Sequence, residues 1–190
     1  YRDGRLFLAK TDAPLAFTWS WPDVDPASID PTTVTVSRDP CGRWYVSFAV
    51  DVAAPDRLAA PRTAVGVDLG VTDFAVTSDG DKIPNPRHLA KRDRNPARYQ
   101  RRQARKTRGS NNHRKARAKV ARAHRKVRAA RTDFLHKTST RLVRDHDVIV
   151  IEDLAVTNMV RNRKLAKAIS DCGWGVFRRM LNYKTARYGR

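Results

Sequence analysis

The chain has 190 residues, room for one domain and part of another, and carries 39 Lys+Arg against 19 Asp+Glu for a formal net charge of +20. An excess of that size points to a polyanionic partner, most often nucleic acid. No apolar run reaches membrane-spanning length and no signal peptide is visible, so the expectation is a cytoplasmic protein with no membrane partner; Cys41 and Cys172 form no CxxC pair and read as free thiols in a reducing compartment rather than as a zinc site.

The sequence opens without Met inside a strand-like run, RLFLAK (5–10), and reads as a fragment. Residues 1–62 read as β, part of a small barrel or sheet followed by a linker. TVTVS (33–37) and WYVSFAV (44–50) alternate apolar and polar positions, with RDPCGR (38–43) as the turn between them. Trp19, Trp21 and Trp44 read as core or rim packing, with base stacking as the alternative. DVAAPDRLAAPRT (51–63) has the prolines, small residues and lack of periodicity of a linker.

AVGVDLG (64–70) is a continuous apolar run of strand length with Asp68 inside it. A carboxylate in a core strand is costly unless it is paired or binds something. Alternation puts Asp68 on the side of Gly66 and Gly70, which leave room around it. FAVTS (74–78) follows, with Asp73 read as a turn residue; Asp79-Gly80 is a hairpin signal, and KIP (82–84) returns as a third strand.

The next segment holds most of the charge. From Pro84 to His146 there are about 22 Lys/Arg and 3 Asp, a net of about +19, while residues 1–83 come to about −4. This insertion, at about 85–146, reads as a helical hairpin. Asn95 as N-cap and Pro96 at the first position start one helix, which runs to about Arg108 and ends at Gly109. A second runs from about Asn112 to about Asp145, some 50 Å at 1.5 Å per residue. Ala116, Val120, Ala123, Val127, Ala130 and Phe134 form its packing seam. Arg98, Arg101, Arg102, Arg105, Lys106, Arg108, Arg114, Lys115, Arg117, Lys119, Arg122, Arg125 and Lys126 fill other faces with almost no acids among them. Such a surface repels itself without a polyanion, and it is the expected nucleic-acid-binding set; a merely solvated face is the alternative. Tyr99 and Phe134 are the few aromatics, so phosphates and duplex shape rather than bases are the expected contacts. The five histidines, His88, His113, His124, His136 and His146, show no metal-ligand spacing, and any could touch phosphate.

DVIVIEDL (147–154) repeats the buried-strand pattern and ends in Glu152, the only Glu in the chain. Asp153 points to the opposite face, so one of the two can share a site with Asp68. Each acid alone reads as a capped or paired strand end. Together, two strands with carboxylates split by a nucleic-acid-binding arm favour a metal site for Mg²⁺ or Mn²⁺, held by Asp68 and Glu152. Asp171, in ISDCGWG, reads as the cap of the following helix, whose Phe177, Met180 and Leu181, with Trp174 before it, form an apolar stripe.

The order VGVDLG, RRQARKTRGSNNHRKARAKVARAH, DFLHKTSTRLV, IVIEDLAVTNMVRN and SDCGWGVFRRML resembles the TnpB (OrfB) proteins of bacterial insertion sequences, relatives of the type V CRISPR nucleases. TVSRDPCGRWYVSF resembles the end of the family's wedge barrel. The resemblance implies an α/β fold: a RuvC-like (RNase H-type) mixed sheet over 63–190 with an inserted basic helical hairpin, preceded over 1–62 by part of a wedge β-barrel. It implies an RNA-guided DNA endonuclease with guide RNA and target DNA as partners, a monomer being favoured. Asp68 matches the first catalytic aspartate and Glu152 the catalytic glutamate. The family's four-cysteine zinc ribbon and third catalytic aspartate are not found in these 190 residues, so zinc is expected only in that ribbon. A non-catalytic basic binding module and another RNase H-type enzyme, a junction resolvase or cut-and-paste transposase, are the alternatives.

Overall fold

The computed structural model describes residues 1–53, 57–59, 63–92 and 94–190; residues 54–56 and 60–62 of the expected linker lie outside the described residues. Two compact units are present, Tyr1–Ala54 and Pro55–Arg190.

In the first unit, β1 (Pro31–Arg38) and β2 (Trp44–Val50) pair antiparallel, Val34 opposite Phe48 and Arg38 opposite Trp44. The expected turn joins them: the Asp39 carboxylate accepts from the N–H groups of Cys41 and Arg43 at 2.8 and 2.9 Å, and Gly42 takes the left-handed conformation that closes the turn. Among the described residues this sheet is two-stranded rather than a closed barrel. Phe48 anchors an aromatic cluster with Tyr1, Phe17 and Trp19, and Trp21 stands edge-on to Trp19. The tryptophans depart from a packing role in part: Trp21 is 46% and Trp44 66% exposed, with the Arg38 guanidinium over the Trp44 ring. Strand end and cross-strand neighbour explain Trp44, which lies beyond the cluster on its own face.

The second unit is built on a mixed sheet of order β5-β4-β3-β6, made by β3 (Ala64–Leu69), β4 (Asp73–Thr77), β5 (Lys82–Pro84) and β6 (Val148–Ile151). The first three form an antiparallel meander, turning at Asp79-Gly80, and β6 joins β3 in parallel. The crossover between β3's meander and β6 carries α1 (His88–Arg92), α2 (Arg94–Ala104) and α3 (Asn111–Asp145). After β6 come α4 (Val156–Met159), α5 (Ala166–Cys172) and α6 (Trp174–Tyr188).

Helices α3 and α6 cover one face of the sheet. Val65, Val67 and Leu69 of β3 point into this layer and meet Leu135, Leu142 and Val143 of α3 and Phe177 and Leu181 of α6. Phe74 is fully buried, edge-on to Phe134 and Phe177 with ring centroids 5.0 Å away on both sides; a side chain of this size contributes about 1.5–3 kcal/mol on burial. The stripe Trp174, Phe177, Met180, Leu181 is core, as its helical spacing requires. The GWG turn has a steric reason: Gly173 is at φ +73°, and a Cβ there would come within 3.1 Å of Arg131 Cδ.

The opposite face of the sheet is open. Val148 and Val150 are 53% and 61% exposed, so the apolar run of β6 is not buried on both faces, and among the described residues β6 is an edge strand rather than a central one. A continuous apolar run is what a central strand needs, but here helices pack on one side only. Three hydrogen bonds fix where β6 starts: Thr63 Oγ1 donates to Asp145 O, and Asp147 N and Val148 N donate to Thr63 O. Arg190 pairs with Asp147 at 2.6 Å from the end of α6.

Candidate active site and nucleic-acid arm

Parallel pairing sets Ala64 beside Val148, Gly66 beside Val150 and Val67 beside Ile151. The pairing ends there; Asp68 is the next residue of β3, and Glu152 is the first residue past β6. Adjacent strands lie about 4.8 Å apart, and side chains at matched positions of a parallel pair share a face. That face is the open one, since the alternate positions Val65, Val67 and Leu69 are buried. Asp68 and Glu152 are both exposed and both line a shallow depression of about 470 Å³ with Gly66, Val76, Ser78 and Val150. The Leu69 N–H donates to Glu152 Oε1 at 3.0 Å, so the Glu reaches back over the end of β3 while one oxygen stays tethered. Its longer side chain makes that reach from beyond the strand end. The cost of a carboxylate in an apolar run is thus avoided, because Asp68 alternates out of the core.

Of the two glycines expected to clear space around Asp68, Gly66 lines the depression and Gly70 acts differently. A Cβ on Gly70 would stand 2.9 Å from Asp73 O, so Gly70 serves the tight β3–β4 turn. Gly66 sits against Ser78, whose hydroxyl accepts from Gly66 N at 3.1 Å. Asp73 begins β4.

The remaining acids have other partners. Asp153 pairs with Arg178 of α6, on the side away from Glu152. Asp171 lies in α5, not at the start of α6, and caps a different helix: its carboxylate accepts from Leu89 N at 2.9 and 3.0 Å and pairs with Arg131 at 3.1 Å. The helix it caps, α1, is 82 residues away, which local sequence cannot show. Among the described residues no three or more His, Cys, Asp or Glu gather as a metal cluster. The pair that does converge offers two oxygen donors open to water. That set fits a hard divalent cation, which takes one or two carboxylates and keeps several waters. Cys41 and Cys172 are free thiols; burial pushes the Cys172 thiol up, against a hydrogen bond from Asn85.

The basic segment places α2 along α3. Gln100 meets His124 and Gln103 meets His113, both at 3.3 Å, and the reversed order of these pairs means that the helices run in opposite directions. Helix α2 starts at Arg94, so Asn95 and Pro96 fall in its first turn rather than at its cap, and α1 precedes it. Helix α3 is capped by Ser110, which accepts from His113 N at 3.1 Å. Ala116, Val120 and Ala123 are half-buried, Val127 is buried and Phe134 packs on the sheet. Arg98, Arg102, Lys119, Arg122 and Lys126 line a cleft of about 680 Å³ between the helices, with Tyr99 in its wall. Arg101, Arg105, Lys106, Arg108, Arg114, Lys115 and Arg117 are exposed outside it, and Arg125 is half-buried. Sequence reading missed the Gln–His links, although Gln and His recurring on facing helices were their only signal. Of the other histidines, His88 lies edge-on to Phe134, His136 meets Tyr183 and His146 meets Thr63.

With this geometry in hand, three comparisons bear on the chain. The family OrfB_IS605, described as "Probable transposase", matches residues 47–163, a span that holds both carboxylates and the whole basic segment. A Streptomyces pristinaespiralis protein named "Putative RNA-guided DNA endonuclease" is 52% identical over all of this chain, which covers 46% of that relative. "Putative RNA-guided DNA endonuclease InsQ" of Escherichia coli (strain K12) is 35% identical over 80% of this chain, covering 41% of the relative. The chain therefore spans less than half the length of these relatives.

Proposed function

The chain belongs to the TnpB (OrfB) family, OrfB_IS605, whose description is "Probable transposase", and from that premise we propose that it forms the carboxylate centre and guide-binding arm of an RNA-guided DNA endonuclease acting in the cytoplasm. The mixed α/β fold with a mixed sheet fits an RNase H-like transposase domain; the finer reading is a RuvC-like site with the α2–α3 pair as its inserted hairpin and the β1–β2 pair as part of a wedge barrel. The observation that carries the proposal is the exposed depression that Asp68 and Glu152 both line, with Glu152 tethered to Leu69 N.

In this reading Asp68 and Glu152 hold Mg²⁺ or Mn²⁺. When bound, the ion lowers the pKa of a water and offsets charge at a phosphodiester. The chain's own residues supply the rest. Asp68 is fixed by the β3–β4–β6 ladder, so its position varies little. Leu69 N holds one Glu152 oxygen and leaves the other for the ion. The exposed cations of α2 and α3 neutralise phosphates of guide RNA, and target DNA crosses the open face.

The test is Mn²⁺ binding followed by electron paramagnetic resonance, with guide-dependent plasmid cleavage alongside. Asp68→Ala and Glu152→Gln should each weaken Mn²⁺ binding at least tenfold without lowering RNA affinity. Unchanged Mn²⁺ binding in both variants overturns the metal site, and the basic binding module then becomes the better reading.

A further inference from the structure

A cavity of about 380 Å³ at the end of the sheet gathers cations from three separate segments; Thr72, Asn85, Arg87, Lys164, Lys167 and Asp171 line it. Arg87 comes from the corner between β5 and α1, Lys164 from the turn after α4 and Lys167 from α5. None lies on α2 or α3. The acid in its wall, Asp171, already receives Leu89 N and the Arg131 guanidinium, so its charge is offset.

Arg87 is held at φ +49°, in the left-handed region that favours glycine. Asn85 fixes it there: its Oδ1 accepts from Arg87 N at 3.0 Å, and its Nδ2 donates to Val71 O at 2.8 Å. One side chain thus ties the Arg87 backbone to the turn that follows Asp68. Strain of this kind persists where surrounding contacts over-determine it. A concave site lined by three cations and the Thr72 hydroxyl, with Asn85 holding the corner, has the chemistry of a phosphate cradle. Thr72 is four residues past Asp68, at most about 14 Å along the chain, which is about four nucleotide rises of 3.4 Å.

We propose that Arg87, Lys164 and Lys167 form a phosphodiester subsite that seats a backbone phosphate of the strand lying at the carboxylate pair, which makes them positioning residues for that strand. The positioning role rests on the nuclease reading; the binding does not.

The experiment measures fluorescence anisotropy of short labelled single strands, DNA in one series and RNA in the other, across a range of salt. The 190-residue chain is compared with Arg87→Gly, with Arg87→Gly/Lys164→Gln/Lys167→Gln and with Asp68→Ala. Glycine suits the Arg87 backbone, so Arg87→Gly should keep or raise the melting temperature while lowering affinity about tenfold. The triple variant should flatten the slope of log affinity against log salt by about 2, at about 0.7 per single-strand charge. Loss on DNA, on RNA or on both supports the subsite and names its source. Parental affinity and slope on both strands overturn it. Loss of Mn²⁺ binding is read separately: a subsite that persists where Asp68 and Glu152 bind no metal condemns the nuclease reading alone, and the converse pattern condemns the subsite alone.

Discussion

Lys184 is buried between α3 and α6, and its ammonium donates to His136 O, Ser139 Oγ and Thr140 Oγ1 at 2.7–2.8 Å. Burial pushes its pKa below the ordinary 10.5. Between the folded value and 10.5 the unfolded chain binds more protons at this position than the folded one. Stability therefore rises with pH across that window and the gain is complete above it. Urea midpoints of the parent should climb as the pH rises toward 10.5 relative to those of Lys184→Met, which should differ from the parent by about 1 kcal/mol or less at pH 7. Equal pH dependence in the two proteins would show that Lys184 is not the group responsible. At this scale Asp68 and Glu152 were legible in the sequence, because a carboxylate interrupting an apolar run has few cheap explanations. Asp171 was not: its charge partner Arg131 and its backbone partner Leu89 are 40 and 82 residues away.

Helix α3 shows both how far a periodic pattern carries and where it stops. Its seam at alternating steps of four and three gave the helix, its length and its inward face, since only one helical stripe can be apolar when the others are charged. The pattern gave no sign of α1, five residues long, or of the Gln–His links. In β6 the apolar run has a buried-strand pattern, yet period cannot tell whether one layer or two will cover a strand. The cleft between α2 and α3 supplies this scale's prediction. Replacing Arg98, Arg102, Lys119, Arg122 and Lys126 by Gln should leave the melting temperature within a few degrees of the parent, because these side chains lie off the core. The salt slope of RNA binding should fall by about 3.5 to 4.5, at about 0.7 to 0.9 per charge. An unchanged slope would make this face a solvated one.

Across the whole molecule, the two carboxylates stand without a third ligand among the described residues. Two carboxylates can hold one ion, but fixing a second and orienting the attacking water normally takes more, and a 1 Å misplacement can cost about a hundredfold in rate. The 190-residue chain with guide RNA and Mg²⁺ should therefore bind nucleic acid yet cut plasmid DNA at least about a hundredfold more slowly than the longer Streptomyces relative assayed beside it; parity between them would mean that a further ligand lies within these residues. The length of α3 adds a mechanical side to this arrangement. Its stretch from Val127 to Asp145 is clamped in the core, while Asn111 to Lys126 projects about 24 Å beyond that clamp. The helix is a lever with its fulcrum near Val127. A tilt of 10° would sweep the tip through about 4 Å, and the other end of the beam is bolted at Asp145 to Thr63, the residue from which the Asp68 strand departs.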